Sequence, residues 1–139
     1  MENGFQVLEH TADVGLVVTG PDLKQAFATA AAGLFSIIAQ SRQIETRDCH
    51  HIEVKAEDAE SLLVGWLNEF IYLFDAHHML FKRFDIVEIT PTRLVAEAWG
   101  EPVDPSRHRI KVGMKAATYH MLKVEKEAGG YRLQVLFDV

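Results

Sequence analysis

The chain has 139 residues, of which 48% are hydrophobic and 24% charged, the mixture of an ordinary folded domain with enough apolar material for a core. Fourteen Lys and Arg against twenty Asp and Glu leave a formal charge of -6. That balance argues against broad electrostatic gripping of nucleic acid, which depends on cationic side chains neutralising phosphates, but permits a basic partner or a bound cation. The lone cysteine, Cys49, excludes an internal disulfide and suits a reducing compartment. The chain opens without a charged leader and apolar core and contains no apolar run of membrane-spanning length. The expectation is one domain over residues 1–139, soluble and cytoplasmic.

Residues 5–10 and 14–19 read as two short strands around an Asp13–Gly15 bend. Pro21 and Asp22 then open a helix, with Asp22 as cap and Gln25 three residues on completing a capping-box pattern. Leu23, Ala26, Phe27, Ala30, Leu34 and Ile37 fall on one stripe of it, and the many alanines allow close approach to a sheet. Residues 43–56 alternate imperfectly and are expected to form a strand. A second helix is expected over residues 58–74, capped by Asp58, with Leu62, Leu63, Trp66, Leu67, Phe70, Ile71 and Phe74 making a wide apolar face.

Beyond it, residues 81–90, 92–100, 115–127 and 131–138 are β-branched or aromatic runs. Pro91, the 102–109 stretch and Gly129-Gly130 punctuate them, and Ala128-Gly129-Gly130 reads as a hairpin turn. The 102–109 loop is long enough to be functional or mobile. Together these elements predict an α+β fold, a single-domain sandwich of a mostly antiparallel β-sheet with two amphipathic helices.

The two ends of the chain carry the chemistry of most interest. Asp13 sits in the turn His10-Thr11-Ala12-Asp13-Val14-Gly15, and Asp138 and Val139 close the chain. Termini of a domain often lie close together. If these do, Asp13, Asp138 and the terminal carboxylate of Val139 converge, and clustered carboxylates repel unless a cation neutralises them. A hard, oxygen-seeking divalent ion fits such a set. Spacing equally allows Asp13 as a turn residue and Asp138 as a solvated tail.

Four segments, His10-Thr11-Ala12-Asp13-Val14-Gly15, the run Trp66-Leu67-Asn68-Glu69-Phe70-Ile71-Tyr72-Leu73-Phe74-Asp75, Lys115-Ala116-Ala117-Thr118-Tyr119-His120 and the terminal Phe137-Asp138-Val139, resemble the archease family in order and over essentially the whole length. The resemblance implies a protein cofactor of the RtcB-type RNA ligase, an enzyme using GTP and Mn2+ to join 2′,3′-cyclic-phosphate or 3′-phosphate ends to 5′-hydroxyl ends through its own guanylylated histidine. Family members promote that guanylylation and sustain turnover without being the ligase, in tRNA splicing or RNA repair, and a chaperone activity is also attributed to the family. The resemblance further implies a metal site from Asp13, Asp138 and the main-chain carboxylate of Val139, usually holding Ca2+, with Mg2+ or Mn2+ as alternatives. It also implies a functional Lys115, expected at nucleotide phosphate or the ligase, and RNA met only indirectly.

The remaining polar residues carry blander expectations. His10 adjoins the carboxylates but offers a softer ligand than calcium prefers. His120, on a run containing Leu122 and Val124, is expected to be partly buried. The His50-His51 and His77-His78 pairs do not make natural chelates, because adjacent strand residues point to opposite faces. Glu69 reads as a semi-buried structural carboxylate, Trp66 as core, and Cys49 as inert strand packing. Arg107, His108, Arg109 and Lys111 form the one local basic run, expected as a solvated loop, with contact to RNA or ligase as its alternative. A phosphohydrolase built on His10, Asp13 and Asp138 is the enzymatic alternative, although no second histidine-aspartate pair at diagnostic spacing supports it.

Overall fold

The computed structural model describes residues 2–9 and 13–139, with the backbone alone described at Glu9. Within them the chain forms β1 (Gly4–Glu9), β2 (Asp13–Gly20), α1 (Leu23–Ile38), a 3₁₀ turn (Ser41–Gln43), β3 (Asp48–Lys55), α2 (Ala59–His77), β4 (Met79–Thr90), β5 (Arg93–Pro102), β6 (Ala116–Glu127) and β7 (Gly130–Asp138). The end of the first expected strand at His10, and the turn residues His10, Thr11 and Ala12, lie outside the described residues.

The fold is α+β, as expected, with the strands divided between two antiparallel sheets. One has the order β1-β2-β7-β6 and the other β3-β5-β4. The helices form the layer between them. Helix α1 packs on β1, β2 and β7 on one side and β4 on the other, and α2 packs on β6 and on β3, β4 and β5.

The reason is written around α1. Its expected stripe is buried apart from the half-buried Leu23, and so are Ala31, Phe35 and Ile38 on one flank of it. An apolar face this wide is more than one sheet covers, so a second layer packs on its flank. Asp22 caps it, its Oδ1 accepting the Gln25 N–H at 2.8 Å, and Asp58 Oδ1 does the same for Ser61 N–H at 2.8 Å on α2. Between the sheets Phe35, Phe70, Phe81, Phe84 and Trp66 meet edge-on or stacked, Trp66 and Phe70 rings being 4.6 Å apart. Trp66 is fully buried as expected, and its Nε1–H donates to Phe27 O at 2.9 Å.

The expected strand over residues 43–56 is a correction: it begins only at Asp48. Ahead of it, Ile44 is buried in the core, Arg47 N–H donates to Gly100 O at 3.1 Å and Glu45 N–H donates to the Glu101 carboxylate at 2.7 Å. Backbone donors that satisfy a side chain are lost to a ladder. The hairpin at Ala128 and Gly129 forms as expected, with Gly129 at φ 81 and Glu127 paired to Gly130.

Candidate functional site

The register of the first sheet brings the two ends together. In the β2–β7 pair Asp13 lies opposite Asp138, and in the β6–β7 pair Asp138 lies opposite Ala116. Directly opposed strand residues have Cβ atoms about 4.5–5.5 Å apart and share a face. Lys115, one residue before β6, donates its backbone N–H to Asp138 O at 2.9 Å. Asp13, Asp138, Val139 and Lys115 therefore occupy one corner of the sheet; His10 lies outside the described residues. Val14, next to Asp13, turns inward against Phe137, so the alternation of the strand places Asp13 on the outer face.

Beside the pair the outer face is apolar and tightly fitted. A Cβ at Gly15 would stand 2.9 Å from Leu136 Cδ2 and 3.1 Å from Leu8 Cβ. Glycine there lets Leu8 and Leu136 close over the strand next to the carboxylates.

Asp13 Oδ1 is sealed from solvent and has no hydrogen-bond partner among the described residues. A buried anionic oxygen without a donor is strongly unfavourable, and a cation is one group that would satisfy it. The oxygen donors present here are the hard set that suits Ca2+ or Mg2+. Among the described residues no three His, Cys, Asp or Glu side chains converge as a metal cluster. The fit is two carboxylate side chains, with the main chain of Val139 as the third expected donor.

One residue at this corner escaped the sequence reading. Asn68 of α2 accepts the Ala117 N–H at 2.7 Å on Oδ1 and donates to Ala117 O at 3.4 Å, gripping β6 where it begins. An amide on an otherwise apolar helix face was the available signal. Glu69 beside it is half-buried, as expected.

Two other expectations are corrected. His120 is exposed. Between Thr118, opposite Leu136, and Lys123, opposite Gln134, β6 carries a bulge with Met121 at φ 55. The bulge breaks the alternation that placed His120 with Leu122 and Val124. Gln134 Nε2 donates to Met121 O at 2.9 Å, and Tyr119 and Met121 are left 64% and 56% exposed. Cys49 is exposed rather than packed, its thiol 3.2 Å from Glu97 Oε2. Desolvation, the hydrogen bond to Glu97 and that carboxylate's charge raise its pKa, which disfavours the thiolate. His50 meets Phe81 edge-on while His51 Nδ1 lies 3.0 Å from Glu97 Oε1, so the pair diverges as expected.

The basic run is not simply a solvated loop. Its His108 is buried, as is Glu101 at 1% exposure. Glu101 Oε1 accepts from Arg107 Nη2 at 2.6 Å, and Oε2 accepts from Glu45 N–H at 2.7 Å and lies 3.0 Å from His108 Nε2. His108 Nδ1 accepts the Asp104 N–H at 2.8 Å, which leaves the ring proton on Nε2, between Glu101 and Gln43 O at 3.1 Å. Burial alone would raise the Glu101 pKa, but the bonds from Arg107, Glu45 N–H and His108 outweigh it and hold the carboxyl at about 2.

A two-sheet α+β sandwich with paired aspartates at the end of one sheet defines the class. A model described as the Archease protein family matches residues 5–139. This chain is 38% identical over 135 residues to the protein archease of Pyrococcus abyssi, covering 94% of this chain and 95% of the relative. It is 32% identical over 136 residues to that of Sulfurisphaera tokodaii, covering 97% and 98%. Its structure is similar to the solution structure of protein 1598 from Methanobacterium thermoautotrophicum, with a TM-score of 0.79, 30% identity and 98% and 99% of the two chains covered. The crystal structure of an archease, possible chaperone, from Thermotoga maritima shares the fold, with a TM-score of 0.65, 21% identity and 95% and 94% coverage. The chain belongs to the archease family.

Proposed function

We propose that this protein is a non-catalytic cofactor that activates an RtcB-type, GTP- and Mn2+-dependent RNA ligase, acting through a divalent cation at the Asp13–Asp138 corner. The observation that carries the reading is the sealed Oδ1 of Asp13, without a hydrogen-bond partner among the described residues, directly across the ladder from Asp138, in a member of the archease family. Asp13, Asp138 and the main-chain carboxylate of Val139 would hold the ion, Ca2+ ahead of Mg2+ or Mn2+. Bound there, the ion supplies a fixed positive charge at an exposed corner.

The chain's own residues prepare that corner. Strand pairing holds the two aspartates opposite one another, so their mutual repulsion is available to bind a cation. Asn68 and the Lys115 N–H fix the start of β6 against Asp138. Lys115 is exposed and carries a compact, mobile ammonium suited to a phosphate as a point charge. Guanylylation of a ligase is limited by positioning and charge neutralisation, which such a corner offers from outside the enzyme's own site.

The test is a multiple-turnover ligation with limiting ligase from the same organism, GTP, Mn2+ and an RNA bearing a 2′,3′-cyclic phosphate. Wild-type protein is expected to stimulate joining, and folded Asp13→Asn and Asp138→Asn variants to lose most of the stimulation. Full stimulation by both variants removes the metal corner from the mechanism, and none by the wild type removes the cofactor reading. The Thermotoga maritima relative is described as a possible chaperone. Suppression of aggregation of unrelated clients, equal in Asp13→Asn, would favour that role instead.

A further inference from the structure

Three surface cavities of about 370, 370 and 400 Å³ share walls. The first is apolar, between Val7, Val14 and Ile37, and shares Ser36 and Lys111 with the second. The second shares Arg42 with the third, which ends at Ser106 and Arg107. Joined, they make one groove that starts beside Val14, the neighbour of Asp13, and runs past the end of α1 to the 102–111 loop.

The charge of this groove opposes that of the molecule. Lys111, Arg42 and Arg107 line it against one carboxylate, Glu45, in a chain of net charge -6. Arg107 is tied to Glu101 and Asp104, while Arg42 and Lys111 have no ion-pair partner among the described residues. The frame beneath the cations is fixed. Lys111 N–H donates to Ile38 O at 2.7 Å, Ile110 bridges Ala39, and the buried Glu101–His108–Arg107 cluster anchors the loop. Backbone fixed before a ligand arrives loses less freedom on binding it.

We propose that this groove binds the backbone of single-stranded RNA directly, with Arg42 and Lys111 against phosphates, the Ser41 hydroxyl beside them, and a base on the Val7–Val14–Ile37 end. The inference rests on the RNA-ligation reading and supplies a contact which that reading does not include. Cationic and hydroxyl donors beside an apolar recess match a chain that alternates anionic phosphates with flat apolar bases. An acidic peptide would engage the cations and leave the recess unused.

The experiment is fluorescence anisotropy of a short, labelled single-stranded RNA with a 3′-phosphate, titrated with the intact protein across a salt series. The variants are Arg42→Gln/Lys111→Gln and Arg42→Glu/Lys111→Glu, their folds checked by circular dichroism. The wild type is expected to bind. The neutral pair should flatten the slope of log affinity against log salt by about 1.4, two phosphate contacts at about 0.7 each on a single strand. The reversed pair should bind no RNA. Absence of binding by the wild type at low salt, or equal binding by the reversed pair, overturns the proposal. Displacement of RNA by poly-glutamate at equal or lower concentration also overturns it, in favour of an acidic protein segment. Ligase stimulation measured alongside separates the two readings: stimulation without RNA binding discards the groove alone, and Arg42- and Lys111-dependent RNA binding without stimulation keeps the groove and discards the ligase role.

Discussion

Glu101 is a carboxylate that three donors keep ionised inside the fold. Its pKa is lowered from an ordinary 4.5 to about 2, so the folded state binds its proton less readily than the unfolded chain does. The stability this contributes is complete above about pH 4.5 and is lost as the pH falls toward 2. The melting temperature of the wild type should therefore fall across that window, and the Glu101→Gln variant should be destabilised at neutral pH while losing less on acidification. Thermal melts from pH 7 to 2 check both. Asn68 supports a second prediction at this scale. Truncation to alanine strands the buried Ala117 N–H, which should cost about 1–3 kcal/mol in urea denaturation and loosen the strand that carries Lys115. The residue types of the corner were legible in the sequence, because aspartates at a turn and at a chain end stand out among apolar neighbours. The role of Asn68 was not, since its partner lies 49 positions away.

Elements declared themselves where local chemistry specifies them. Both helix starts carry an aspartate whose side chain caps the turn, and the Ala128-Gly129 hairpin carries the glycine its positive φ favours. Irregular segments did not, because their backbone groups answer to distant partners. Residues 44–47 look strand-like yet serve Glu101 and Gly100, and β6 looks continuous yet bulges at Met121. Gly100 shows how close two elements come. A Cβ there would stand 1.9 Å from Leu80 O and 2.7 Å from Phe81 Cα, both backbone atoms that cannot step aside. Gly100→Ala should force β5 from β4 and cost roughly 1–3 kcal/mol or more, the range for overpacking. A reduced denaturant midpoint checks it, and an unchanged one would mean that the strands separate freely.

For the whole molecule, the aromatic centre between the sheets is the common structural member. Phe70 touches Phe35, Phe81, Phe84 and Trp66, joining both helices to β4. Phe70→Ala should cost roughly 3–5 kcal/mol, through lost burial and a cavity that the four surrounding rings cannot collapse. Equilibrium denaturation measures this directly. Because this cluster joins both helices to β4, fluorescence and circular dichroism transitions should fall together.

By itself the sequence determined the class of fold, the caps, the hairpin, the core faces of both helices and the family, since all of these rest on spacing and residue type along the chain. Tertiary structure decided the division into two sheets, the conversion of Arg107 and His108 from a basic run into the anchor of a buried carboxylate, and the meeting of Asp13 with Asp138. Each of those depends on which distant groups end as neighbours, and strand register and layer packing alone set that.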